Sequence, residues 1–123
     1  MPKLATTAII LHGEKILVAK RQKDDLWEFP GGKIDPGETP QECIIREIKE
    51  ELDISTEILK EYECIKGTYR GIEMELYGFL VRWLGGDIKL NVHQDYQWIG
   101  FSELGDYDMV EEDLVLFEAY RSS

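Results

Sequence analysis

Between Gly32 and Ile54 the chain reads GKIDPGETPQECIIREIKEELDI, a spacing that suits a capped, two-faced helix. Thr39 can serve as N-cap, Pro40 suits the first helical position, and Glu42 stands three residues after Thr39, completing a capping box. The pattern predicts a helix over Thr39 to Leu52. Ile44, Ile45, Ile48 and Leu52 form its apolar stripe. Glu47, Glu50 and Glu51 stand at i, i+3 and i+4 and share another face. Like charges packed this closely destabilise a helix unless something binds them, and a hard divalent cation takes oxygen ligands. One side of the helix can dock on a sheet while the other stays open to ligand.

The rest of the chain reads mainly as strands. Leu4 to His12 and Lys15 to Lys20 are expected as a hairpin across Gly13-Glu14. Lys20 to Asp25 is a charged loop, and Leu26 to Phe29 a short extended piece stopped by Pro30-Gly31-Gly32. Leu59 to Tyr69 and Ile72 to Trp83 read as a hairpin turning near Arg70-Gly71, because Ile72, Met74, Leu76 and Leu80 alternate with polar neighbours. Asp87 to Leu90 and Tyr96 to Phe101 are shorter candidate strands, and Leu114 to Arg121 a closing helix. Strands with two helices that do not strictly alternate predict an α+β fold with a mixed sheet.

Size and charge narrow the function. A chain of 123 residues suits one domain, 1–123, with one core. A net charge of −11 disfavours a nucleic-acid polymer as partner, while small phosphates remain possible if metal ions accompany them. No apolar run reaches membrane-spanning length, and MPKLATT lacks the apolar stretch of a signal peptide. Cys43 and Cys64 form no CxxC unit, which argues against zinc and a disulfide framework and favours the cytoplasm.

The segment can also be written as G, five residues, E, seven residues, then R-E-I-x-E-E-x-x-I. This resembles the signature of the Nudix hydrolases, G-x5-E-x7-R-E-U-x-E-E-x-G-U with U aliphatic. Every defined position matches except the last glycine, which is Asp53 here. That position follows the helix, where a left-handed residue is common, and aspartate tolerates the conformation better than most. The lead-in Trp27-Glu28-Phe29-Pro30-Gly31-Gly32-Lys33-Ile34 resembles that of the MutT-like branch. His93-x4-Trp98 and Glu112-Asp113-Leu114 fit the branch more loosely.

The resemblance implies a Nudix fold, a mixed sheet sandwiched between helices (α/β/α). It also implies hydrolysis of a nucleoside triphosphate, such as 8-oxo-dGTP, to monophosphate and pyrophosphate. Glu47, Glu50, Glu51 and the Gly31 carbonyl would hold Mg2+, with Mn2+ as substitute, and Glu47, Glu50, Arg46 and Glu38 would form the catalytic set. Gln97 occupies the place of an assisting glutamate in some members, with Asp95 a possible substitute. Cleavage of CTP or of a derivative such as ADP-ribose is the enzymatic alternative, and a non-catalytic nucleotide-binding module is the other. A small-molecule nucleotide is the expected partner, with a monomer or homodimer as the working unit.

Each remaining candidate has two readings. Arg46 can pair with Glu42 and Glu50, one turn away. Glu38 reads as a contact between loop and box more than as a direct catalyst. Arg21, Lys23 and Lys33 can reach phosphates or simply lie on the surface. Phe29 suits core or pocket, Trp27 the core, and His12 a strand end. His93 reads as structural or ligand-facing. Asp113 either reads the base or N-caps the helix beginning at Leu114.

Overall fold

The computed structural model describes residues 1–122. The pattern of β1 (Lys3–His12) explains the layering. Ala8 and Ile10 face one way and Ile9 the other, as the two-residue period of a strand requires, and all three are fully buried. A strand buried on both faces needs a layer on each side. On one face α1 (Pro40–Leu52) packs Ile44, Ile48 and Leu52 with Ala8 and Ile10. On the other, α2 (Glu111–Arg121) brings Leu116 and Phe117 to Ile9. The architecture is α+β, a mixed sheet between helices.

β7 (Ile72–Gly85) lies parallel to β1, from Lys3 opposite Met74 to Leu11 opposite Arg82. The second edge of β1 is shared. Its C-terminal end pairs with β2 (Lys15–Arg21), while its N-terminal half pairs with the short β4 (Gly31–Lys33), Thr7 standing opposite Gly31. β2 in turn carries β3 (Trp27–Glu28) and, along most of its length, the last strand (His93–Gly100).

The expected Leu59–Tyr69 strand is two strands. β5 (Ser55–Glu61) pairs with the C-terminal half of β7 and β6 (Ile65–Tyr69) with its N-terminal end. Between them the Tyr62 amide donates to Gly78 O at 2.9 Å. The fourteen-residue β7 therefore serves two partners in series. The last strand, β8 (His93–Gly100), begins earlier than expected. Asp87–Leu90 is not a strand. Its surroundings give the reason: the amides of Lys89 and Asn91 donate to Leu52 O and Glu51 O, at 2.9 and 3.1 Å, satisfying carbonyls that α1 leaves open at its end.

Both ends of α1 behave as its local sequence requires. Thr39 caps the start with the reciprocal Glu42 contact, and Asp53 follows the helix in the left-handed conformation, φ 57°, ψ 37°. The stripe is narrower than expected: Ile45 is exposed and Cys43 is buried in its stead. α2 starts at Glu111 and not at Leu114, so Asp113 lies inside its first turn and does not cap it. Cys43 and Cys64 are both free thiols. Among the described residues no helix is long and apolar enough to cross a membrane.

Candidate active site

Arg46 organises the acidic face of α1. Its Nε and Nη2 grip both oxygens of Glu38, at 2.6 and 2.8 Å, in a two-pronged contact. Nη1 reaches Glu47 Oε1 at 2.8 Å and Glu50 Oε2 at 3.1 Å, and Nη2 also donates to Lys33 O at 3.2 Å. Glu42 is not among these partners, because the capping box holds it at Thr39. The Arg46 guanidinium, with the Asp35 amide, holds the Glu38 carboxyl down at about 2. Glu38 thus ties the glycine loop to the helix, the structural side of its two readings.

Glu51 has a different environment. It is 7% exposed, and its Oε1 is buried without a hydrogen-bond partner. Burial pushes its carboxyl up to about 9, Glu47 and Glu28 add to the rise, and a Gly31 backbone contact opposes it. Glu50 is exposed and turned to Arg46. Among the described residues no three His, Cys, Asp or Glu side chains are gathered closely enough to hold a metal ion. The Glu47 and Glu51 carboxyls are in contact, and Glu50 shares Arg46 Nη1 with Glu47. The donor set still fits a divalent cation. A buried carboxylate oxygen without a partner, beside a second carboxylate, is what a hard cation would satisfy.

Two glycines set how close the sheet comes to these groups. A Cβ on Gly31 would lie 2.1 Å from Thr6 O, and one on Gly32 would lie 2.5 Å from the Glu47 carboxylate. Only glycine fits at position 31, against backbone, while a side chain at position 32 would have to displace the Glu47 carboxylate. Both glycines also line a cavity of about 410 Å³. That volume is in the usual range for small-molecule sites.

Arg21, Phe29, Gly31 and Asp113 line the cavity, and Lys33 does not. Lys33 borders a separate surface depression beside Leu4 and Ile72. Arg21 is paired with Asp24 at 3.0 Å. Phe29, 2% exposed, packs in the core with Ile9 and Leu116. Trp27 stacks edge-on against Tyr107 at the core's margin, and His12 meets Trp83 and Trp98 at a strand end.

Asp113 is 3% exposed, and its oxygens accept from Thr7 Oγ1 and the Phe29 amide, each at 2.8 Å. Burial pushes its carboxyl up to about 8. Sequence reasoning gave no role to Thr7, Glu28, Arg70 and Glu112, all of which line this cavity. Arg70 forms a two-pronged ion pair with Glu112. Its only local signal is the Arg70-Gly71 turn, which says nothing of a partner on α2.

Fold and site together define a class: residues 1–120 match the model of the NUDIX domain, and the chain belongs to that family. Families of this kind generally work with divalent metal ions. The chain is 32% identical over 119 residues to a CTP pyrophosphohydrolase of Escherichia coli (strain K12), covering 94% of this chain and 88% of that protein. It is 35% identical over 100 residues to an 8-oxo-dGTP diphosphatase of Buchnera aphidicola subsp. Schizaphis graminum (strain Sg), covering 78% and 75%. The solution structure of the E. coli ORF135 protein superposes with a TM-score of 0.83 at 29% identity, covering 98% of this chain and 89% of that one.

Proposed function

We propose that the chain hydrolyses nucleoside triphosphates to the monophosphate and pyrophosphate with a divalent cation, Mg2+ or its substitute Mn2+. One observation carries the reading. The partnerless oxygen of Glu51 lies beside Glu47, and the Gly31-Gly32 backbone that these two carboxyls approach lines a nucleotide-sized cavity. Glu47, Glu50, Glu51 and the Gly31 carbonyl would hold the cation. When bound, it neutralises phosphate oxygens, polarises the phosphoryl group and acidifies a water.

The chain's own residues position and select. Arg46 orients Glu47 and Glu50 through Nη1 and is itself anchored by Glu38. Phe29 and the Gly31-Gly32 backbone shape the cavity. Chemistry of this kind depends mostly on positioning and charge stabilisation, so a fixed scaffold suits it. Asp113 lines the cavity with both oxygens already accepting, from Thr7 Oγ1 and the Phe29 amide, so it braces the cavity and base reading falls to other lining residues. The nucleotides named for the two relatives, CTP and 8-oxo-dGTP, are the first to try. The chain would act as a single domain, monomeric or homodimeric, in the cytoplasm.

A panel of CTP, dCTP, dGTP, 8-oxo-dGTP and ADP-ribose, assayed with Mg2+, tests the reading. Monophosphate and pyrophosphate are the expected products. Glu50→Gln is expected to lower turnover at least ~10²-fold, the scale of losing one positioned electrostatic group, with unchanged urea unfolding. Full activity in excess EDTA, or near-normal activity in the variant, overturns it. A silent panel with tight nucleotide binding would favour the non-catalytic module.

A further inference from the structure

Glu28 and His93 lie outside the box, and they meet at the cavity. His93 opens β8 and is 4% exposed. The β2–β8 pairing shifts register between Lys20 and Arg21, which sets Arg21 opposite His93. Such irregularities re-aim side chains, often beside sites. His93 Nε2 lies 2.8 Å from Glu28 Oε2, and because a carboxylate only accepts, Nε2 carries the hydrogen.

Nδ1 of the same ring is buried with no partner. The contact with Glu28 is therefore the ring's one recorded hydrogen bond among the described residues. An apolar side chain would fill the space without leaving a nitrogen unsatisfied, so packing alone does not account for a histidine here. From the other side Arg21 Nη1 stands 3.7 Å from Glu28 Oε1. Arg21 is fixed in turn by Asp24, and its carbonyl accepts from Gln94 at 2.7 Å. Glu28 is thus approached by a basic side chain at each oxygen while it lines the cavity.

We propose that His93 is a positioning residue: with Arg21 it holds the Glu28 carboxylate at the cavity as a fixed acceptor for an N–H or O–H group of the bound nucleotide. The inference rests on the nucleotide reading above. A preset acceptor lowers the ordering cost of binding, so its loss weakens binding more than the chemical step. Arg70 and Glu112 satisfy one another across the same cavity and leave this task to Glu28.

Steady-state kinetics with CTP and with 8-oxo-dGTP, for wild type, His93→Leu, His93→Gln, Glu28→Ala and the His93→Leu/Glu28→Ala double variant, test it. Leucine fills the space without a donor, whereas glutamine Nε2 can donate where the imidazole does. His93→Leu is expected to raise KM about tenfold for at least one nucleotide, the effect of losing a hydrogen bond to a charged group, with kcat little changed. His93→Gln should restore most of the loss, and His93→Leu should add nothing once Glu28 is alanine.

A KM for His93→Leu within about twofold of wild type overturns the proposal, given the expected size of the effect. So does an undiminished effect of His93→Leu in the Glu28→Ala background. If His93→Leu fails to fold, Glu28→Ala decides alone: a raised KM supports the proposal and an unchanged one overturns it. A wild type that hydrolyses neither nucleotide counts against the nucleotide reading itself, a result distinct from each of these.

Discussion

Asp113 commits both of its carboxylate oxygens inside the protein, one to Thr7 Oγ1 and one to the Phe29 amide. Burial holds its carboxyl up at about 8, while an unfolded aspartate releases its proton near pH ~4. Between those values the folded state binds more protons than the unfolded state. This group therefore makes stability fall as pH rises across the window. Asp113→Asn has no proton to lose, and its amide can accept from the Phe29 N–H and donate to Thr7 Oγ1. Urea unfolding should show the variant gaining on wild type from about pH 5 to about pH 8. A constant difference would mean that burial does not hold the proton on.

At this scale the sequence was legible wherever partners lie within a helical turn. The shared face of Glu47, Glu50 and Glu51 is an example. It was silent where partners come from across the fold, as Thr7 and Phe29 do for Asp113, over sequence separations of 106 and 84.

The element that carries the chemistry, α1, is specified at both ends. Its start was readable because Thr39, Pro40 and Glu42 are neighbours. Its end adds something the local sequence does not contain. Asp53 holds the left-handed turn, and it also pairs with Lys49 and with Lys89, each at 3.3 Å. Asp53→Gly therefore has two opposed effects, since glycine relieves the Cβ penalty and removes both ion pairs. Salt screens only the second. The variant should gain stability relative to wild type between about 0.05 M and about 1 M NaCl, read from urea midpoints. A difference independent of salt would mean that the lysines contribute nothing.

The same dependence on partners explains the misread elements. Asp87–Leu90 looks like a strand until the open carbonyls of α1 claim its neighbouring amides. The gap between β5 and β6 follows from the length of β7, which no local pattern announces.

Taken whole, the molecule sets a buried carboxyl, Glu51, within the acidic face of α1, in a chain of net charge −11. Adding positive charge at that spot should stabilise the native state, because the unfolded chain offers no such site. Millimolar Mg2+ or Mn2+ is expected to raise the melting temperature of the apo-protein, and EDTA to reverse the rise. Glu51→Ala should abolish the response and Glu61→Ala should leave it intact. An equal response in both variants would indicate only general screening of negative charge. The fold class was readable from the order of strands and helices. The cavity was not, because residues as distant in sequence as Thr7, Arg70, His93 and Glu112 assemble it.

The Gly31-Gly32 pair has a practical consequence for redesign. A Cβ on Gly31 would meet the Thr6 backbone and one on Gly32 the Glu47 carboxylate, so a side chain at either position disturbs the strand pairing or a glutamate before it alters the ligand's outline. Another bank of the cavity is made of Ile72, Met74 and Leu76, apolar side chains on β7 that bear no box group. A library meant to alter which nucleotide is accepted should diversify that bank and leave the glycines untouched. Selectivity could then drift over many variants while the hydrolytic apparatus stays constant.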